Sequence, residues 1–169
     1  MNKMKQIAVE KVTINFGAGK DQKRLEHGIQ LIEMVTGEQP VKTYAEARIP
    51  AWGLRPGLPI GAKLTLRGKK AQEVLERFLV AKEKKLKASC ADDYGNVSFG
   101  VPEYIDIPGV RYDPAIGVLG LQISITLSRP GFRVAKRKHK TQSVGKSHQI
   151  RKEESQEFFE KNFGVEFIQ

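Results

Sequence analysis

The chain has 169 residues, 40% of them hydrophobic, and a formal net charge of +10. That length encloses one core without crosslinks or metal, so a single domain spanning residues 1–169 is expected. The lone Cys90 excludes an internal disulfide, His27, His139 and His148 lack metal-ligand spacing, and no apolar run is long enough for a membrane span or follows Met1 in the manner of a signal peptide. No metal, cofactor or membrane partner is therefore expected, and the chain reads as cytoplasmic.

Ile7–Phe16 alternates, with Ala8, Val12, Ile14 and Phe16 on one side, and predicts a strand with one buried face. Gly17-Ala18-Gly19-Lys20 breaks it. Asp21 caps a following helix whose stripe is Leu25, Ile29, Ile32 and Val35, with Gly37 as its stop. The glycine turn does not match a phosphate-binding loop of nucleotide hydrolases, because Gly19-Lys20 is followed by Asp21 where that loop needs Ser or Thr.

Val41–Ala47 reads as a short strand. From Ile49 to Ile60 the breakers Pro50, Gly53, Pro56, Gly57 and Pro59 deny regular structure and predict a projecting loop over residues 48–60. It displays Arg48, Trp52 and Arg55; Trp52 either presents its ring outward or folds back on the core. Lys63–Arg67 resumes alternation, and Gly68 ends it. A helix is predicted from Lys69 to Lys87, with Ala71, Val74, Leu75, Phe78 and Leu79 inward and Arg77, Lys82, Lys84, Lys85 and Lys87 outward.

Asp92–Asn96 reads as a turn, Val97–Val101 as a strand, Tyr104–Ile107 as another, and residues 113–118 as irregular. Asp92 and Asp93, adjacent on a turn, suit solvated turn formers better than an acid–base pair, and no serine or Cys90 has a base that the sequence can place beside it. No enzyme is read here. Leu119–Ser128 alternates most clearly, and after the turn Arg129-Pro130-Gly131 the segment Phe132–Ala135 is expected to return as a hairpin partner.

Charge then becomes the dominant signal. Residues 114–152 hold 9 Lys or Arg and no Asp or Glu, whereas residues 153–169 hold 1 basic and 5 acidic residues. Lys136–Lys152 is too polar to fold by itself and is expected to order on a polyanion, with phosphate backbones the simplest source. Glu153–Asn162 is a short helix with Phe158, Phe159 and Phe163 inward and Gly164 as its cap, and Val165 and Phe167 tie down the end. The basic stretch at about 133–152 is thus an extended loop between anchored elements.

These elements predict an α+β fold, a two-layer sandwich of one antiparallel or mixed sheet with helices on one face. The uncovered face would carry Thr13, Asn15, Thr65, Arg67, Ser124 and Thr126, groups that suit RNA and equally suit plain solvent. Two rival classes stay open: an interaction module whose basic loop is a separable nuclear or membrane address, and an RNA-modifying enzyme.

Several stretches resemble the universal large-subunit ribosomal protein family that carries 5S rRNA in the central protuberance. They are Val9–Gly19, Thr36–Pro40, Ala47–Gly53, Pro59–Gly68, Gly95–Gly100 and Leu119–Thr126, which cover nearly the whole chain in order. The basic segment with its acidic, Phe-rich end is similar to the archaeal and eukaryotic branch, with the archaeal type preferred; bacterial members begin with a further helical segment. The resemblance implies a structural constituent of the large subunit and three contacts. Asn15, Gly17, Gly19, Gln39, Thr43, Thr65 and Arg67 fall in motifs expected to hold 5S rRNA. Arg48, Trp52 and Arg55 lie in the loop that reaches P-site tRNA. Arg133, Lys136, Arg137, Lys138, Lys140, Lys146, Arg151 and Lys152 are assigned to 23S rRNA, with tRNA or a neighbouring protein as alternatives. The implied protein partners are a small-subunit head protein at an intersubunit bridge and a neighbouring 5S rRNA-binding protein.

Overall fold

A computed structural model describes residues 2–168. Five antiparallel strands form one sheet in the order β2-β3-β1-β6-β5, where β1 is Ala8–Gly17, β2 Val41–Tyr44, β3 Pro59–Leu66, β5 Val97–Val101 and β6 Leu121–Ser128. Helices α1 (Gln22–Thr36) and α2 (Gly68–Ala81) cover one face of it. The expected two-layer α+β fold is what forms, and its main sheet is purely antiparallel.

The core follows from the alternation. In register across the sheet lie Leu64, Ile14, Ile123 and Phe99, and one step along lie Leu66, Val12, Ile125 and Val97; all eight are buried against the helices. The α1 stripe is Leu25, Gly28, Leu31, Ile32 and Val35, with Ile29 only half-buried. Gly28 is where α1 comes closest to the sheet, since a Cβ there would lie 2.1 Å from the Phe16 ring. Asp21 caps the helix by accepting from the Lys23 and Arg24 amides, and Gly37 ends it in a left-handed conformation at φ 71°.

Four sequence expectations are corrected. The helix predicted to Lys87 stops at Ala81, because Glu83 and Lys84 turn left-handed; the chain then forms β4 (Lys85–Lys87). That strand pairs in parallel with β7 (Glu166–Ile168), so the chain end is tied by a second, two-stranded sheet. Tyr104–Ile107 is no strand: Tyr104 and Ile107, both buried, point inward from a single helical turn, and the Tyr104 hydroxyl accepts from the Asp113 amide. Phe132–Ala135 does not return as a hairpin but enters a one-turn helix, α3 (Arg133–Lys136). Finally β2 ends at Tyr44, before the predicted Ala47.

Helix α4 (Lys152–Phe163) inserts Phe159, fully buried, with Phe158 and Phe163 packed around it, and Gly164 caps it at φ 63°. No helix is long and apolar enough to cross a membrane among the described residues.

Candidate nucleic-acid interface

The strand registers order the uncovered face into rows. One row is Val41, Lys63, Asn15, Gln122 and Gly100; the next is Thr65, Thr13, Ser124 and Ser98; a third, at the glycine turn, is Thr43, Gly61 and Gly17. Successive rows are two residues apart, or about 7 Å. The Asn15 amide donates to Gln122 Oε1 at 3.0 Å, and Ser98 donates to Ser124 at 3.1 Å. Each pair keeps spare donor or acceptor capacity, so the face offers hydroxyls and amides of both polarities in a regular array.

Charge on this face is almost all positive. Lys11, Lys63 and Arg67 frame it, and the strand register slips between Val9 and Lys11. Within that irregularity the carboxylate of Glu10 meets Arg67 at 3.6 Å and Lys136 of α3 at 2.5 Å. A strand irregularity therefore ties the basic loop to the edge of the reading face.

Of the residues assigned to 5S rRNA, Asn15, Gly17, Thr43, Thr65 and Arg67 come together on this face or its rim, and Gln39 is exposed just before β2. Gly19 behaves differently from expectation. Its N–H and that of Ala18 donate to the Ile60 carbonyl at 3.0 and 2.9 Å, so neither amide is free for phosphate. Gly19 serves instead as a left-handed turn at φ 65°.

The other two groups stand apart. β1 ends at the glycine turn, β3 begins there and β6 begins there, so the loop between β2 and β3 lies at that end of the sheet. β6 runs away from it, so the basic loop that follows Ser128 lies at the opposite end, roughly 25 Å along the strand. The loop between β2 and β3 is organised rather than irregular. Leu54 is buried, Ile49 bridges Leu54, and Pro50–Trp52 makes a helical turn that leaves Trp52 68% exposed with Arg48 and Arg55 exposed beside it. The reading in which Trp52 folds back on the core is thus overturned.

At the far end Arg133, Lys136, Arg137, Lys138, Lys140, Lys146 and Arg151 are all exposed, with Lys152 half-buried. Their loop is closed at its base by a residue that sequence reasoning counted only as part of a turn. Arg129 is 6% exposed; its guanidinium donates to Glu154 at 2.7 Å and to the His148 and Gln149 carbonyls. His148 Nε2 lies 2.9 Å from the Pro130 carbonyl, and Ile150 is buried against Gly95. Burial disfavours the Glu154 carboxylate, but hydrogen bonds from the Arg151 amide and the Arg129 guanidinium outweigh it and hold its pKa below the usual glutamate value.

The structure also adds two cations to the glycine-turn end. Arg24, from the first turn of α1, and Lys82, at the end of α2, line an open cleft of about 490 Å³ with Asn15, Gly17, Gly100, Gly120 and Gln122. Lys82 stood among the outward-facing residues of its helix in sequence; nothing in the spacing marked Arg24.

Comparison with known proteins bears on this geometry. Residues 59–167 match the family model for the C-terminus of the ribosomal L5 family, and residues 2–55 match that described as ribosomal protein L5. The chain is similar to the large ribosomal subunit protein uL5 of Sulfurisphaera tokodaii, 48% identical over 170 residues that span 100% of this chain and 96% of the relative. It is 46% identical to that of Nanoarchaeum equitans, with 98% of each chain covered. The uL5 protein of Methanococcus vannielii is 48% identical, covering 98% of this chain and 93% of its own.

Proposed function

The chain belongs to the ribosomal protein L5 family of the large subunit, archaeal type, and on that premise we propose that it holds 5S rRNA on the open face of its sheet. The observation that carries this reading is the face itself: ordered rows of amides and hydroxyls, framed by Lys11, Lys63 and Arg67, on the one side of the sheet that no helix covers. Charge gives such an interface affinity and salt dependence, while shaped, unstacked RNA gives it selectivity.

The two loops extend the contact in opposite directions. The basic loop from Arg133 to Lys152 docks on 23S rRNA, so that the chain anchors the 5S particle in the central protuberance. At the other end the exposed Trp52 stacks on, or lies along a ribose of, P-site tRNA, with Arg48 and Arg55 on phosphate. A small-subunit head protein and a neighbouring 5S rRNA-binding protein complete its surroundings in the cytoplasmic ribosome. The role is scaffolding and not catalysis: chain and RNA neutralise each other's charge.

The test is mobility-shift binding of 5S rRNA against an unrelated structured RNA of equal length at about 0.2 M salt. Asn15→Ala and a variant neutralised over residues 136–140 are run beside the wild type. The expected result is a preference for 5S rRNA that Asn15→Ala erodes, with the loop variant lowering affinity for both RNAs. Equal binding of both RNAs, affected by the loop variant alone, overturns the sheet-face assignment.

A further inference from the structure

We propose that the cleft at the glycine-turn end of the sheet receives a single unstacked nucleotide of the bound RNA, its phosphate held by Arg24 and Lys82 and its base or ribose by the Asn15–Gln122 amide pair. The inference rests on the reading of the sheet face as an RNA surface and assigns one place on it.

Three observations carry it. The cleft's volume, about 490 Å³, lies in the range of about 300–1,000 Å³ usual for pockets that take small molecules. Its lining contains two cations from separate helices and no carboxylate, and neither Arg24 nor Lys82 is in an ion pair among the described residues. By contrast Arg67, Lys70 and Lys136 are each matched to a glutamate. Two unmatched positive charges converging on one cleft, beside amide groups with spare donors and acceptors, suit a group that is anionic at one end and polar-planar at the other.

The glycines give the third observation. Gly120 is required by the fold, since a Cβ there would lie 2.8 Å from the Pro102 carbonyl. Gly17 and Gly100 are not required. Both have ordinary strand backbone; a Cβ on Gly17 would meet nothing within 4 Å, and one on Gly100 only the Leu121 carbonyl at 3.8 Å. Glycine inside a strand weakens it and often marks close approach by another group. Here the side chains these positions lack are the ones that would occupy the cleft. Single-stranded RNA is read by splaying bases into such recesses.

The test uses the full chain and a 5S rRNA transcript, with mobility-shift affinity and nucleotide-resolution 2′-hydroxyl probing. The variants are Gly100→Ala, Gly100→Val, the double Arg24→Gln/Lys82→Gln, and Thr65→Val on the wider face. Thermal unfolding checks each fold, and Gly100→Ala is expected to melt like the wild type. One nucleotide that is reactive in free RNA and protected by wild type should regain reactivity with Gly100→Val and with the double variant, while other protections persist. Affinity should fall about tenfold for each, and the double variant's salt dependence should be shallower by about 0.7 for each phosphate it no longer neutralises.

If the wild type prefers 5S rRNA and Thr65→Val weakens it, yet the cleft variants keep every protection and bind within about twofold, the cleft assignment is overturned and the wider face stands. Uniform loss of protection in the double variant also overturns it, because the cations then act only as distributed charge. No preference for 5S rRNA in the wild type removes both readings. Should Gly100→Val fail to fold, Gly100→Ala and the double variant decide.

Discussion

The loop between β2 and β3 and the loop between β6 and α4 leave opposite ends of the same sheet, and they are held in different ways. The first is shaped by its own backbone: the Ala45 amide donates to Leu58, Gly57 donates to Ala45, Ile49 and Leu54 bridge, and one buried side chain, Leu54, anchors it. The second has few such bonds and is closed by side chains, above all by a buried guanidinium between Glu154 and two carbonyls. Backbone closure is indifferent to pH and salt and leaves an exposed tip free to change. Closure by a buried ion pair makes the geometry of the basic surface depend on two residues that need never touch RNA.

The largest expected effect therefore comes from Arg129. Its Nε is buried without a partner, so the group is already incompletely satisfied, and removing it leaves Glu154 and the His148 and Gln149 carbonyls unmatched. Breaking a buried pair costs about 3–5 kcal/mol; because the Glu154 side chain is 41% exposed and can recover water, Arg129→Ala should lose about 2–3 kcal/mol in urea unfolding. Amides across residues 144–151 should exchange faster while the Ile49 and Leu54 amides do not change. A loss below about 1 kcal/mol, or equal acceleration in both loops, would erase the distinction drawn between them.

Acid offers a milder way to open the same clasp. The Glu154 pKa is lowered on folding, so its contribution to stability is fully present above the ordinary glutamate value of about 4.3 and is lost as pH falls through the lower folded value. The stability difference between wild type and Glu154→Gln should be constant from neutral pH down to about 5 and shrink below that, as followed by urea midpoints at each pH. Exchange in the loop between β2 and β3, corrected for intrinsic rates, should show no matching transition. A difference that stays constant to about pH 3 would mean that Glu154 acts through packing and not through its charge.

The same contrast explains what could be read from the chain beforehand. Caps and alternation were legible because each is local: Asp21, Gly37, Gly164 and the alternating Leu121–Ser128 all behave as their neighbours in sequence dictate. What was not legible depends on distant partners. Lys85–Lys87 and Glu166–Ile168 are three-residue strands whose pairing only the fold supplies. Tyr104 and Ile107 are three apart, which fits one helical turn as well as a strand, and burial decides between them. Arg129 lies among nine basic residues and looks like one more RNA contact, although it is the one that is buried. For the site, Asn15, Thr65 and Gln122 could be placed on one face by parity alone, but the meeting of Arg24 with Lys82 requires knowing that α1 begins and α2 ends over the same edge of the sheet.

The smallest effect on stability should come from Trp52, and its smallness sharpens the comparison most directly. The ring is 68% exposed and its loop is held by Leu54 and backbone bonds that do not involve the indole, so Trp52→Ala should change urea stability by no more than about 0.5 kcal/mol. As the only tryptophan it is also its own reporter. In the free protein its emission should be that of a water-exposed indole, readily quenched by acrylamide, and it should remain so when Arg129→Ala loosens the other end of the sheet. Adding tRNA should shield it from acrylamide, whereas 5S rRNA held on the open face should shield it far less. If instead the emission is already that of a buried ring, or Trp52→Ala unfolds the chain as readily as Arg129→Ala does, then the loop is held through its aromatic side chain and the two ends of the sheet are built on the same principle after all.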